Sequence, residues 1–236
     1  MRAKHFLIAD TETVGLKPQN FVYDFGYVIT TKKEVKLERS FLVAEIITDA
    51  NKMMGAYFAK KIFSYYIPTL DAGLIHLHTW ADVVKQLRAD MDEYQIDVFC
   101  AYNLPFDMGA ITATNALLTN GGKVLDYKPD LLDLYYFACT GALNSRLYHD
   151  MAYQQEAIRQ DNTWVSAANN VRTTAEKAYA FLSGDIDFVE SHTALHDAQI
   201  ETVILKKLLA RKSTIPYNRL VAMPWQQAQK LKGELV

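Results

Sequence analysis

The chain has little of several features that would fix a protein's class at once. It contains two cysteines, Cys100 and Cys139, in apolar segments without a metal-ligating neighbour at short spacing. Two buried free thiols in a reducing cytoplasm are therefore favoured over a disulfide. No apolar run approaches the roughly 18 residues of a membrane-spanning helix, and the N-terminus leads straight into a predicted strand without room for a signal peptide. We therefore expect a cytoplasmic protein with no membrane partner.

Neither sign of charge dominates the sequence. The 236 residues include 25 Lys and Arg against 27 Asp and Glu, a formal net charge of −2, which argues against a broad basic surface that coats nucleic acid. A small basic rim around an acidic pocket remains compatible with that charge. Half of the residues are hydrophobic, and no repeat or low-complexity linker interrupts them, so we expect one domain over residues 1–236. Its tail, residues 213–236, would pack on the domain or dock a partner.

Three short segments far apart in the sequence carry the residues that suggest chemistry. They are residues 10–16 (DTETVGL), 103–107 (NLPFD) and 192–199 (HTALHDAQ). The first follows an apolar run that predicts a strand, in which Asp10 and Glu12 point to the same face. Carboxylates that converge repel one another unless a cation neutralises them, and oxygen ligands suit Mg²⁺ or Mn²⁺ better than Zn²⁺. The sequence therefore predicts a metal site.

In these motifs and their order, the chain resembles the DEDDh class of 3′–5′ exonucleases from about residue 6 to about residue 209. The resemblance implies an α/β, ribonuclease H-like fold: a mixed five-stranded sheet of order 3-2-1-4-5, flanked by helices. It also implies two Mg²⁺ or Mn²⁺ ions, about 3.5–4 Å apart, held by Asp10, Glu12, Asp107 and Asp197. His192 would take the proton of the attacking water, a role that suits a side chain with a pKa near neutrality.

The same resemblance assigns substrate contacts to residues of the first two motifs: Thr11, Thr13, Gly15, Leu16, Asn103 and Phe106. Backbone amides near Thr13 would meet the terminal 3′-hydroxyl, and Gly15 would permit the turn that brings them there. Leu16 would wedge beside the terminal base. Asn103 would position the loop that carries the third carboxylate, and Phe106 would either stack on a base or pack in the core.

Some histidines and lysines have both a functional and a structural interpretation. His196 is a candidate second base, but a helix would turn it about 100° away from Asp197, which favours a partly exposed helix-surface residue. His76 and His78 have no carboxylates around them and are interpreted as loop or edge residues. Residues 49–66 interleave lysines with aromatics, as in a groove for single-stranded nucleic acid. An amphipathic helix with buried aromatics explains the same composition and is favoured.

Periodicity and capping signals place the remaining elements. Strands are predicted at residues 5–10, 21–31, 35–43 and 96–102. The five-stranded sheet that the resemblance implies places a fifth strand between residues 122 and 130. Helices are predicted at residues 49–66, 79–94, 107–118, 130–139, 173–182 and 193–211. Capping boxes at Thr79 and Thr173 mark two of the helix starts. Residues 140–171 lack periodicity, and the sequence predicts neither their structure nor their function.

Together these features imply an enzyme that hydrolyses phosphodiester bonds at the 3′ end of single-stranded nucleic acid and releases nucleoside 5′-monophosphates. DNA is favoured over RNA as the substrate, because the third motif looks closest to those of proofreading and phage DNA exonucleases. The alternatives are an exoribonuclease acting on short RNA, or a non-catalytic module of the same fold that binds nucleic acid or a polymerase. A proofreading role would require a polymerase partner.

Overall fold

A computed structural model describes residues 3–15, 20–56, 60–119, 121–212 and 214–229. The chain forms two compact units, each built from separate segments. The first contains the described residues of 1–99, 105–130 and 191–199, and the second those of 100–104, 131–190 and 200–236. Among the described helices, none is both long and apolar enough to cross a membrane.

The described residues form a six-stranded mixed sheet of order β4-β3-β2-β1-β5-β6. The strands are β1 (Phe6–Val14), β2 (Phe21–Thr30), β3 (Val35–Val43), β4 (Leu77–His78), β5 (Val98–Ala101) and β6 (Asp130–Asp133). The first three strands pair antiparallel, and β4 joins the edge of β3 in parallel. The predicted count of five strands is wrong, because the sheet also contains this two-residue edge strand. Without it, the order is the predicted one.

The last strand lies later in the sequence than predicted. It was expected between residues 122 and 130, followed at once by a helix, but β6 runs through Asp133. The helix after β6 begins later than predicted because Asp133 is its N-cap. The Asp133 carboxylate accepts a hydrogen bond from the backbone N–H of Tyr135, and this satisfies a donor that has no partner within the first helical turn. The helix predicted over residues 130–139 therefore begins at Leu134, after its cap.

Ten α-helices lie within the described residues. They are α1 (Ala44–Ile47), α2 (Ala50–Met53), α3 (Ile67–Asp71), α4 (Trp80–Glu93), α5 (Leu104–Leu118), α6 (Leu134–Cys139), α7 (Arg146–Arg159), α8 (Ala175–Ser183), α9 (Ala194–Arg211) and α10 (Trp225–Ala228). The continuous helix predicted over residues 49–66 is wrong. Helix α2 ends at Met53, Ala56 forms a bridge with Val14 of β1, and Ile62–Tyr66 is a π-helical segment that leads into α3.

The two predicted helix caps lie at, or one residue from, the caps in the structure. Thr79 caps α4 as predicted, and its side chain accepts from the backbone N–H of Asp82. Helix α8 is capped by Thr174, not by Thr173. The Thr173 hydroxyl instead forms a hydrogen bond with the Tyr135 hydroxyl, 2.9 Å away. Gly184 ends α8, with φ at 88° in the left-handed region that glycine favours.

Each unit has its own apolar core. In the first unit, Phe25 and Phe41 stack across β2 and β3, and the Trp80 ring meets Phe25 edge to face. In the second unit, the largest buried side chains include Trp164 and Tyr148. Cys100 and Cys139 are buried and free, as predicted. These cores fix the ends of the elements from which the candidate site is built.

Candidate metal centre

Three of the predicted site residues come together in the first unit. Glu12, His192 and Asp197 each offer a ligand atom, and these atoms lie within 4.8 Å of one another. Glu12 and Asp197 are buried, and His192 is half-buried. Two buried carboxylates at this separation disfavour each other's ionised form unless a positive charge lies between them. Two carboxylates and an imidazole therefore fit a divalent metal ion, and this set is called the Glu12–His192–Asp197 cluster below.

An irregularity in the sheet places Glu12. It pairs with Asp24 of β2, but the next residue, Thr13, pairs with Val22, so that Tyr23 is the extra residue of a β-bulge. Bulges re-aim side chains and are frequent beside active sites. The Tyr23 ring is buried. This burial raises the pKa of the Tyr23 hydroxyl well above its usual range, and the negative charge of Glu12 and a hydrogen bond with Glu12 raise it further. A protonated hydroxyl at this position stabilises the Glu12 carboxylate.

Gly26 allows the first turn of α9 to lie directly on β2. A Cβ atom on Gly26 would be 2.2 Å from the backbone nitrogen of Leu195 and 2.4 Å from the carbonyl carbon of Ala194. Because Gly26 pairs with Asp10 and Asp24 pairs with Glu12, the start of α9 covers the face of the sheet that carries both acidic residues.

The loop before α9 presents His192 in an uncommon backbone conformation. Its φ is 53°, a left-handed value that costs a residue other than glycine on the order of 1–3 kcal/mol and persists only where surrounding contacts enforce it. The Lys61 ammonium group supplies such contacts, since it donates hydrogen bonds to the carbonyl oxygens of both Ser191 and His192. The conformation of His192 is therefore imposed by neighbouring residues of the same unit.

Asp24 holds the other side of that loop. One of its carboxylate oxygens accepts hydrogen bonds from the backbone N–H of Ala194 (3.1 Å) and from the Tyr66 hydroxyl (2.7 Å). Burial raises the pKa of Asp24 to about 6, against the opposing effects of these two hydrogen bonds and of the Lys61 charge. Lys61 and Asp24 thus fix the chain immediately before and after the residue whose side chain joins the cluster.

The other two predicted carboxylates are placed differently. Asp10 is half-buried on β1, two residues before Glu12. Asp107 is buried in the first turn of α5, and its carboxylate accepts a hydrogen bond of 2.7 Å from the Thr11 hydroxyl. Among the described residues, neither belongs to the Glu12–His192–Asp197 cluster. Their metal-binding roles stay predictions, and Thr11, predicted to contact substrate, orients Asp107.

The predicted substrate residues of the first unit are only partly described. Thr13 is half-buried in β1, and Gly15 is exposed with φ at 94°, a conformation that suits the predicted turn. Leu16 lies outside the described residues. Phe106 is half-buried, so both of its interpretations stand. His196 is 40% exposed at the side chain, as expected of a helix-surface histidine, but it is not turned away from Asp197. Its Nδ1 lies 3.8 Å from the Asp197 carboxylate and 2.7 Å from the Ser191 hydroxyl oxygen.

Four residues around the centre were not recognised as functional in the sequence: Tyr23, Asp24, Lys61 and Tyr66. Lys61 and Tyr66 belong to the segment interpreted as an amphipathic helix with buried aromatics. In the described part of that segment Tyr66 is buried, whereas Phe63 is 77% and Tyr65 39% exposed. Tyr57 and Phe58 lie outside the described residues. No local signal separates the lysine that contacts the His192 loop from its neighbour Lys60, which is exposed.

No family model and no curated protein matches this sequence. Solved structures do resemble it. Cell-death related nuclease 4 (CRN-4) aligns over 95% of this chain and 77% of its own, with a TM-score of 0.52 and 13% identity. The fold is ribonuclease H-like. Exonuclease X, solved in complex with 5′ overhanging duplex DNA, aligns over 87% of this chain and 91% of its own, with a TM-score of 0.47 and 14% identity. At 13% identity, the likeness to CRN-4 shows the fold alone.

Asn103, the remaining predicted substrate residue, belongs to the second unit. It is exposed and has a positive φ of 74°. Its backbone N–H donates to the Asp133 carboxylate at 3.1 Å, and the same oxygen caps α6 through Tyr135. Asp133 is 1% exposed, and burial raises its pKa to about 6 although the backbone N–H groups favour the charged form.

Replacing Asp133 by asparagine is expected to change how stability depends on pH. The folded-state pKa of Asp133 lies above the unfolded value, so its stabilising contribution is complete below about pH 4 and is lost as the pH rises through about 6. The free energy of unfolding of Asp133→Asn should therefore rise relative to wild type between pH 4 and 7, by roughly 2–3 kcal/mol. Urea denaturation across this range measures the difference, with exposed Asp185→Asn as the control. A difference that changes no more than the control's would contradict the prediction.

Proposed function

We propose that this protein is a divalent-metal-dependent 3′–5′ exonuclease that releases nucleoside 5′-monophosphates from single-stranded nucleic acid, with DNA as the preferred substrate. The observation that carries the proposal is the Glu12–His192–Asp197 cluster on a ribonuclease H-like fold. That CRN-4 is named as a nuclease is consistent with it. The order of the three sequence motifs supports the direction of cleavage.

Glu12 and Asp197 would hold Mg²⁺ or Mn²⁺, with Asp10 and Asp107 completing the carboxylate set for two ions. Two such ions lower the pKa of a water molecule and stabilise the charge on the leaving 3′-oxygen of a phosphodiester. Two contacts support this proposal: the Tyr23 hydroxyl hydrogen-bonds with Glu12, and the Thr11 hydroxyl donates a hydrogen bond to Asp107. Second-sphere hydrogen bonds of this kind fix the orientation of ligands before a metal ion binds.

His192 would accept the proton from the attacking water at an unprotonated ring nitrogen. A general base must lie within hydrogen-bonding reach of the reacting group, and the imidazole already lies beside the two carboxylates. Lys61 and Asp24 hold the backbone on either side of His192, so little reorganisation is needed when substrate arrives.

Substrate would be held mainly by its backbone. The turn at Gly15 and the amides near Thr13 would receive the terminal nucleotide, and the metal-bound site would receive the scissile phosphate. Contacts to phosphate, sugar and base faces carry little sequence information. We therefore propose cleavage without sequence preference.

Digestion of matched 5′-labelled single-stranded DNA and RNA with Mg²⁺ or Mn²⁺ tests the proposal. We expect a ladder of products that shorten from the 3′ end, faster for DNA, and absent in EDTA and in Asp10→Ala. Faster loss of the RNA would identify an exoribonuclease instead. If folded protein cleaves neither substrate, the proposed activity is wrong and a binding module of this fold is the remaining explanation.

A further inference from the structure

The second unit contains a pocket that the proposed nuclease chemistry does not use. Its volume is about 460 Å³, within the range of pockets that bind small molecules and cofactors. Tyr102, Asn103 and Tyr135 form part of its wall, the first residues of α8 another part, and Trp225 of α10 another. All of these residues belong to the second unit.

The chemical character of the lining is unlike that of the chain as a whole. Acidic residues outnumber basic ones in the sequence, yet the described residues that line the pocket include Arg172 and no carboxylate. The Arg172 guanidinium donates through Nε to the carbonyl of Asn162 at 3.3 Å, which helps to orient the group. Thr174 and Ala175, at the start of α8, also line the pocket, and the N-terminal end of a helix favours negative charge. The lining therefore suits an anion.

The aromatic residues of the pocket are held in place. The rings of Tyr102 and Tyr135 stack at 5.1 Å, and their hydroxyls bond to the carbonyl and the hydroxyl of Thr173. Trp225 is 40% exposed, whereas Trp80 and Trp164 are almost completely buried. An exposed indole on a fixed surface offers a flat face to a planar ligand.

The short helix that carries Trp225 is anchored on the second unit. His149 Nε2 lies 2.9 Å from the carbonyl oxygen of Ala228. The side chain of Gln229 donates to the carbonyl of Val171 at 3.1 Å. These two contacts fix the segment that carries Trp225, so the indole remains exposed at the pocket.

We propose that this pocket binds a nucleotide, with the base against the Trp225 indole and the phosphate beside Arg172 and the start of α8. Aromatic stacking combined with arginine is the chemistry by which proteins hold single nucleotides without reading sequence. The nucleotide is either a unit of the substrate strand or the released monophosphate. Only this choice of source rests on the proposed function, because binding in the pocket requires neither metal nor hydrolysis.

Tryptophan fluorescence in EDTA tests the proposal without any nuclease activity. Thymidine 5′-monophosphate should quench the emission of wild-type protein saturably, through the one exposed tryptophan of the described chain. Trp225→Phe should remove the quenching, since the two remaining indoles are buried. Arg172→Ala should weaken binding about tenfold through loss of a charged contact. Arg146→Ala, at an exposed arginine of α7 outside the pocket, is the matched control and should bind as wild type does.

The choice of ligands separates the outcomes. Thymidine without phosphate should bind more weakly than the monophosphate. Tighter binding of a short oligothymidylate would identify the strand as the source, and equal binding would identify the free mononucleotide. Quenching that does not saturate, or affinity that neither Arg172→Ala nor removal of the phosphate changes, would overturn the proposal. Because the assay contains no metal ion, its failure is distinct from failure to cleave nucleic acid.

Discussion

Asp197→Asn is expected to abolish metal-dependent hydrolysis, lowering kcat by about 10³-fold or more, because several kcal/mol of transition-state stabilisation depend on the metal site. Asp197 is buried in the first turn of α9 and lies in the Glu12–His192–Asp197 cluster. Asparagine keeps the size of the side chain, so the helix should remain packed. It removes the negative charge, and a neutral amide competes poorly for a divalent cation.

Single-turnover cleavage of a 5′-labelled oligonucleotide measures the loss, and thermal unfolding measures metal binding separately. The melting temperature of wild type should rise with added Mn²⁺, because a ligand that binds the folded state stabilises it, and that of Asp197→Asn should rise less. Lys207→Gln, at an exposed position later on the same helix, should retain most of its activity. An Asp197→Asn enzyme as fast as wild type would rule out the cluster as the catalytic metal site.

Gly26→Ala is expected to destabilise the protein by roughly 3 kcal/mol, at the upper end of the usual cost of overpacking. The added Cβ would lie 2.2 Å from the backbone nitrogen of Leu195 and 2.4 Å from the carbonyl carbon of Ala194. Because these are backbone atoms, a rotamer change cannot relieve the contact, and the start of α9 must move away from β2. Such a movement also separates Asp197 from Glu12, so activity should fall with stability.

Urea unfolding and cleavage assays on the same preparations test both effects. Gly109→Ala is the matched control, since a Cβ at this position in the middle of α5 would have no neighbour within 4 Å. That variant should be as stable as wild type or gain up to about 1 kcal/mol, because alanine suits a helix interior better than glycine. If Gly26→Ala unfolds at the wild-type urea concentration, the close approach of α9 to β2 is wrong.

The strands and helices that were predictable are those with strong local signals. Strand β3 has the predicted bounds, residues 35–43, and it follows the polar residues 32–34. Helix α9 begins one residue after its predicted start, and α4 begins after its predicted cap at Thr79. In each of these elements, local propensity and tertiary packing favour the same structure.

The features that escaped prediction depend on tertiary contacts. A β-bulge at Tyr23 is defined by pairing with another strand, and residues 21–30 alone read as an unbroken strand. The helix predicted over residues 49–66 breaks where Ala56 pairs with Val14. The same holds for the candidate site. The resemblance to the DEDDh class pointed to Glu12, His192 and Asp197, whereas the contacts of Lys61 and Asp24 with the loop at His192 join residues that are far apart in the sequence.

The first unit is assembled from three stretches of chain, and the last of them, residues 191–199, completes it. The hydrogen bond from Ala194 to Asp24 joins residues 170 positions apart. Closing so long a loop costs entropy that only the finished packing repays, and such distant pairings form slowly. During synthesis from the N-terminus, β1 emerges long before α9, so a ribosome-bound chain carries Glu12 without Asp197. The Glu12–His192–Asp197 cluster is therefore completed late in translation, after most of the first unit has already left the ribosome.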